Sequence, residues 1–171
     1  MNEIFISDYE RFTPNKYRIW ACIIRLIRNH ELRYIYWGRV FQNSRIKIVK
    51  SLSSVILHGF RRKYGLEINF GNVGGGIRLI HPWQITINAN AYLGENVTLY
   101  KGVTIGEIEG GVKAGNPTIG DNVTICANAT VCGKIFIGKN TWIAAGAFVN
   151  FDVPENSLVI GNPGRIHKRH F

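Results

Sequence analysis

Cysteine is scarce in this 171-residue chain, with only Cys22, Cys126 and Cys132. Three cysteines without a Cys-x-x-Cys pair suggest neither a disulfide framework nor a metal pair. Cys126 and Cys132 each follow an aliphatic residue, where a small, weakly polar side chain suits a turn, so packing is their expected role. Long apolar runs are also missing. The most apolar early stretch, residues 19–27, is interrupted by Arg25 and falls short of the about 20 residues a membrane span needs. No secretory leader pattern is present, and the expected compartment is the cytoplasm. Acidic residues are few, 11 Asp/Glu against 21 Lys/Arg, for a net charge of +10.

That charge is unevenly placed. Residues 1–65 hold 13 Lys/Arg against 4 Asp/Glu, a balance of +9, and residues 66–171 hold 8 against 7. Such a front segment suits an anionic partner: a membrane surface, a phosphorylated substrate or nucleic acid.

What the chain does have is a period of six. Stepping from Ile87 gives Leu93, Leu99 and Ile105; after one interruption come Ile119, Ile125, Val131, Ile137, Ile143 and Val149. The next residue is often one that tolerates a left-handed turn: Gly94, Gly106, Gly120 and Gly138, with Asn88 and Asn150 in the same slot. Four residues after each aliphatic the side chain is usually compact, as at Ala91, Val97, Val103, Val123, Ala129, Thr141, Ala147 and Val153, with Ile135 bulkier. Period six fits neither a helix nor a long alternating strand. It fits a prism-shaped solenoid whose sides are short strands and whose axis the aliphatics fill.

Around this core the chain divides into a helical basic segment over 1–65, the solenoid over 66–160, and a basic tail over 161–171. Residues 1–12 read as a lead-in. Thr13-Pro14 reads as an N-cap with proline at the first helical position. Tyr17, Trp20, Ile23, Ile24 and Ile27 then follow at helical spacing. An aromatic-rich piece holds Leu32, Tyr34, Ile35, Tyr36, Trp37 and Phe41. Asn43 or Ser44 is placed to cap a further helix with an apolar face of Ile48, Val49, Leu52, Val55, Ile56 and Phe60, ending near Gly65. Packing of these stripes against each other or a neighbouring subunit is the plain expectation. Membrane-surface docking is the alternative; nucleic-acid binding lacks any accompanying motif. Gly74-Gly75-Gly76 is not a phosphate loop, because no Gly-Lys-Ser/Thr follows. It reads as the first, ragged coil. His81 stands six residues before Ile87 and is expected in the ladder. Fourteen residues separate Ile105 from Ile119, so a loop over 107–117 leaves the prism.

Several words are shared with a known family. Leu79-Ile80-His81-Pro82 precedes Ile85-Thr86-Ile87; Gly102-Val103-Thr104-Ile105-Gly106 follows; then come Asn116-Pro117-Thr118-Ile119-Gly120-Asp121-Asn122-Val123 and Gly161-Asn162-Pro163. Over residues 66–166 the chain resembles the hexapeptide-repeat acyltransferases, in the serine-acetyltransferase-like branch that includes bacterial polysaccharide O-acetyltransferases. The resemblance implies a left-handed parallel β-helix with a helical N-terminal segment, a homotrimer with sites between subunits, and direct acetyl transfer from acetyl-CoA without a metal. It assigns the general base to His81. An imidazole neutral near pH 7 suits that task.

Two departures bear on the acceptor. Serine acetyltransferases carry an Asp before this histidine and Arg-His before the proline after the loop; here Ile80 and Gly115-Asn116 stand there. The loss of these charges favours a sugar or glycan hydroxyl, free or lipid-linked, over L-serine, which is the alternative. Asn116, Trp83 and Lys101 are the expected acceptor-side residues. An amide orients a hydroxyl but cannot take its proton. By resemblance the pantetheine arm of CoA runs past Ala127 and Ala145. Lys134, Lys139, Arg165 and Lys168 are the candidate cations for its phosphates. A zinc or carbonic-anhydrase-like enzyme would need about three converging ligands, which His30, His58, His167 and His170, all outside the repeat, do not supply. A non-catalytic trimeric scaffold is the remaining reading.

Overall fold

A computed structural model of the chain describes residues 3–13 and 17–168. The six-residue steps become the sides of a three-sided coil, each side one short strand and one corner. In chain order the strands are β1 (Arg78–Ile80), β2 (Thr86–Ile87), β3 (Tyr92–Leu93), β4 (Thr98–Tyr100), β5 (Thr104–Gly106), β6 (Thr118–Ile119), β7 (Thr124–Ile125), β8 (Thr130–Cys132), β9 (Phe136–Ile137), β10 (Trp142–Ile143), β11 (Phe148–Val149), β12 (Ser157–Ile160) and β13 (Arg165–Lys168). One prism face is β1-β4-β7-β10-β12 with β13 antiparallel at its edge; the second is β2-β5-β8-β11; the third is β3-β6-β9. Within the coils all pairing is parallel.

Register stacks the ladder in three files: Leu79-Leu99-Ile125-Ile143-Val159, Ile87-Ile105-Val131-Val149 and Leu93-Ile119-Ile137. All are buried, as are the compact residues four positions on, Ile135 included. Each such aliphatic stabilises the fold by roughly 1.5–3 kcal/mol against leaving it in water. His81 is not in the ladder. Leu79 takes that place opposite Leu99, and His81 stands exposed in the widened corner after β1, with φ of 50°.

Three of the four glycines after the aliphatics serve a purpose other than the expected one. Left-handed φ falls two residues later, at Asn96, Asn122 and Asn140. Gly94, Gly120 and Gly138 are required instead by close stacking of the coils. A Cβ on Gly94 would lie 2.9 Å from the Gly120 carbonyl carbon, and one on Gly138 would lie 2.3 Å from the Glu155 nitrogen.

The front segment forms α1 (Glu3–Phe12), α2 (Ile19–Arg28), α3 (His30–Asn43) and α4 (Lys47–Tyr64). Residues expected as a lead-in are therefore helical from Glu3. Thr13 closes α1, its amide donating to the Tyr9 carbonyl, rather than capping the next helix; Pro14 lies outside the described residues. Asn43 ends α3 and Ser44 follows it, while Ile46 stands at the N-cap of α4. α4 closes on Gly65 in the left-handed conformation, φ 66°. Its expected apolar face is only partly covered. Phe60 is buried, Ile56 packs on the core, and Ile48, Leu52 and Val55 are more than half exposed. The helix rolls to bury Ser53, whose hydroxyl donates to the Val49 carbonyl at 2.7 Å.

Asp8 and Arg39 hold the front segment on the first coil. Arg39 Nε donates to Asp8 Oδ2 at 2.9 Å, and its Nη atoms donate to the carbonyls of Phe70, Val73 and Gly74 at 3.3, 2.7 and 2.6 Å. The Ile77 amide donates to Asp8 Oδ1 at 3.0 Å. Burial pushes the Asp8 carboxyl above its ordinary value, against the pull of the Arg39 guanidinium and the backbone amides. Both side chains are almost wholly out of water, so each depends on the other. Among the described residues no helix is long and apolar enough to cross a membrane.

Within the described residues the basic tail contributes a strand. β13 pairs Arg165 with Ile160 and Lys168 with Ser157; Arg169 lies outside the described residues.

Candidate active site

Trp83, Lys101, Ala127 and Ala145 occupy successive levels of one prism corner, between the first and second faces. Backbone bonds join the levels: Gly102 N–H to the Trp83 carbonyl at 2.8 Å, Asn128 N–H to Lys101 at 3.0 Å, and Gly146 N–H to Ala127 at 2.9 Å. Gln84, Gly102, Asn128 and Gly146 repeat the left-handed turn beside them, with φ between 53° and 71°. His81 heads this column. Past Lys101 the corner is paved by the small side chains of Ala127 and Ala145, and among the described residues no atom beyond the chain neighbours lies within 4 Å of a Cβ built on Gly146. An extended chain can therefore lie along the corner close to backbone.

The far end of α4 holds the head of the column in place. The Tyr64 ring meets Trp83 edge to face, the Gln84 amide donates to the Tyr64 carbonyl at 2.8 Å, and His30 stacks on Tyr64 with ring centroids 4.8 Å apart. Trp83 remains 49% exposed, so one surface of its indole is free for a ligand.

Between α4 and the second face run two adjoining clefts of about 670 Å³ each. They share His58, Arg61, Glu67, Thr86 and Thr104, and the one nearer the corner reaches Gln84, Gly102 and Asn128. Arg61 is paired with Glu67. His81 lines neither cleft and stands three residues from Gln84.

Asn116 belongs elsewhere. The loop over 107–117 leaves the corner between the second and third faces and folds back along the stack. Ile108 pairs with Gly115, the Lys113 carbonyl accepts from Lys134 N–H at 2.9 Å, and Lys113 Nζ donates to the Asn150 carbonyl at 2.7 Å. Asn116 Oδ1 is buried at the foot of this loop, without a hydrogen-bond partner among the described residues. Within one protomer the loop corner and the His81 corner flank opposite edges of the second face, so these two residues are not brought together.

Nor do the four candidate cations form one cluster. Lys134 lies at the loop corner. Lys139 lies at the third corner, ion-paired with Glu155 at 3.3 Å. Arg165 lies beside Ile160, at the end of the strand stacked over Ala144, and so closest to the Ala127–Ala145 column; Lys168 is at the opposite end of that strand. Tyr64 and Gln84, missed in the sequence, had no periodic signal, since their contact joins a helix end to a turn about twenty residues on. Among the described residues no three His, Cys, Asp or Glu side chains converge as metal ligands.

No protein-family model matches the chain. Among curated proteins it is 32% identical over 148 residues to a serine acetyltransferase of Staphylococcus xylosus, covering 85% of this chain and 68% of that one. It is 36% identical over 137 residues to a serine acetyltransferase of Synechococcus elongatus, covering 78% of this chain and 53% of that one. The chain thus spans about half the length of the latter relative. Among solved structures, Neisseria gonorrhoeae serine acetyltransferase superposes with a TM-score of 0.79 at 29% identity, over 99% of this chain and 67% of that one. The soybean enzyme superposes at 0.76 and 26% identity, over 96% and 67%. The coil is the left-handed parallel β-helix of those structures. These relatives favour the serine side of the expected resemblance over the polysaccharide side. On the strength of this likeness over both the helical front and the β-helix, the chain belongs to the serine acetyltransferase family of hexapeptide-repeat acyltransferases.

Proposed function

We propose that this chain is an O-acetyltransferase that moves an acetyl group from acetyl-CoA to a hydroxyl, with residues 66–160 as the acyltransferase domain. The observation that carries the reading is the corner column, with an exposed histidine at its head and the small side chains of Ala127 and Ala145 at its lower levels. The acceptor hydroxyl gives its proton to the imidazole of His81 as its oxygen attacks the thioester carbonyl. The carbon–sulfur bond then breaks, and the departing thiolate recovers the proton from the imidazolium. The small side chains of Ala127 and Ala145 leave room for the pantetheine arm, and Arg165 is the best-placed cation for its phosphates. The proposed compartment is the cytoplasm.

The proposed working assembly is a homotrimer. His81 and Asn116 flank opposite edges of one face, and a neighbouring copy's loop set against the His81 corner closes the site. Light scattering tests this, and a fully active monomer at micromolar concentration sinks it.

L-serine is the acceptor that the relatives' names favour, and one solved relative is described in complex with serine. A sugar hydroxyl is the second reading, and residues of this chain favour it. Ile80 offers no charge to an amino group, Gly115-Asn116 offer no cation to a carboxylate, and the half-exposed Trp83 offers a flat apolar surface beside the base. The deciding experiment follows acetyl transfer by mass spectrometry onto L-serine and onto nucleotide-, lipid- and oligosaccharide-linked sugars. Transfer to serine alone sinks the sugar reading. Neither CoA binding nor turnover on any acceptor sinks the enzyme reading and leaves a scaffold.

A further inference from the structure

The outward face of α2 is unused by the reaction and uncovered among the described residues. Cys22 is buried and Leu26 packs on the core, whereas Ile19, Trp20, Ile23, Ile24 and Ile27 are 55, 76, 43, 56 and 70% exposed. At 3.6 residues per turn these five share one arc of the helix. Arg28, Arg25 and Arg18 follow on the adjoining arc, and α2 carries no acidic residue.

We propose that α2 is a membrane-surface anchor: it lays its isoleucines and Trp20 into the interface of a bilayer rich in anionic phospholipid, with the arginines at the head groups. An apolar stripe with tryptophan beside a basic stripe is the arrangement such helices use. The charge is complementary, since residues 1–65 carry a balance of +9. A second copy of the chain fits less well. A ten-residue helix is about 15 Å long, and its face falls far short of the roughly 800 Å² per partner of a standard interface. Pairing α2 with α2 would also bring arginine stripes together without an acidic partner.

The test is co-sedimentation of the full chain at low salt with vesicles of equal parts phosphatidylglycerol and phosphatidylcholine, beside vesicles of phosphatidylcholine alone. Pelleting is expected with the anionic vesicles, on the order of a hundredfold weaker with the neutral ones if all three arginines contribute, and reduced by added salt. Trp20→Asp and Ile27→Asp change exposed side chains; each should lose binding with circular dichroism and melting unchanged. Ile48→Asp, at an 81% exposed position on α4, should bind as the parent does. Equal recovery with both vesicles overturns the proposal, as does normal binding by the two α2 variants or a loss in Ile48→Asp as deep as theirs. Self-association that Ile27→Asp abolishes, without any vesicle pelleting, assigns the face to a second copy and overturns it too.

Discussion

The rings of Tyr64 and Trp83 meet edge to face, with centroids 4.9 Å apart and planes at 72°. Tyr64 is the last residue of α4 and Trp83 stands two residues after His81. Through this contact, and the Gln84 amide bonded to the Tyr64 carbonyl, the helical front sets the position of the corner that carries the proposed base.

Tyr64→Ala should therefore weaken acceptor binding while leaving the β-helix folded. An edge-to-face aromatic pair is worth about 1 kcal/mol beyond its buried area, so KM for the acceptor should rise about fivefold to tenfold. Tyr64→Phe should restore it. Steady-state kinetics with KM and kcat resolved separately provides the check, and values for Tyr64→Ala equal to the parent's in both would count against the positioning role.

His81→Ala and Asn116→Ala should be unequal. Loss of general-base help lowers the transfer rate by about 10²–10⁴-fold, whereas loss of one orienting hydrogen bond costs about 1–2 kcal/mol. CoA affinity and the oligomer should survive both changes. Single-turnover acetyl transfer beside CoA binding separates the cases. Near-normal transfer by His81→Ala would remove it from the reaction.

Arg39→Met should destabilise the fold by about 3–5 kcal/mol, because it strands the buried Asp8 carboxyl without its cation. Asp8→Asn combined with Arg39→Met should cost less than the two single changes added together, since they share one interaction. Denaturant unfolding of the three variants measures this. Strict additivity would show that the pair is not coupled.

The thiols should be slow to alkylate. Burial pushes Cys22, Cys126 and Cys132 above the ordinary thiol value, so less thiolate is present at neutral pH than in a free cysteine. Trp142 Nε1–H donates to Cys126 Sγ at 2.8 Å and pulls the other way without reversing the direction. Iodoacetamide labelling of native and unfolded protein, followed by mass spectrometry, should show slow native rates that climb with pH. Native labelling as fast as unfolded at pH 7 would contradict it.

The β-helix was legible because each of its sides repeats the same local problem. An aliphatic must point inward every six residues, and a compact residue must follow four later, so the period alone reports the core from Ile87 to Val153. Glycine was legible as a requirement but not in its cause. Gly94, Gly120 and Gly138 are there because the next coil passes within contact of a Cβ, a distance set by stacking and invisible in the spacing. The place of His81 was misread for a related reason. A strict step of six lands on it, but the corner after β1 is wider, and strand pairing gives the ladder place to Leu79.

The chain's own order of residues thus determined the repeat, the loop at 107–117, the basic helical front and the family words around His81. Tertiary structure decided what periodicity cannot express. It rolled α4 to bury Ser53 and leave Ile48 and Val55 in water. It turned the isoleucines of α2 outward, joined Tyr64 to Trp83, and set Asn116 across a prism face from His81. A helical stripe states only that one face is apolar; which neighbour covers it depends on contacts between residues far apart in the chain, and those are settled by packing rather than by local pattern.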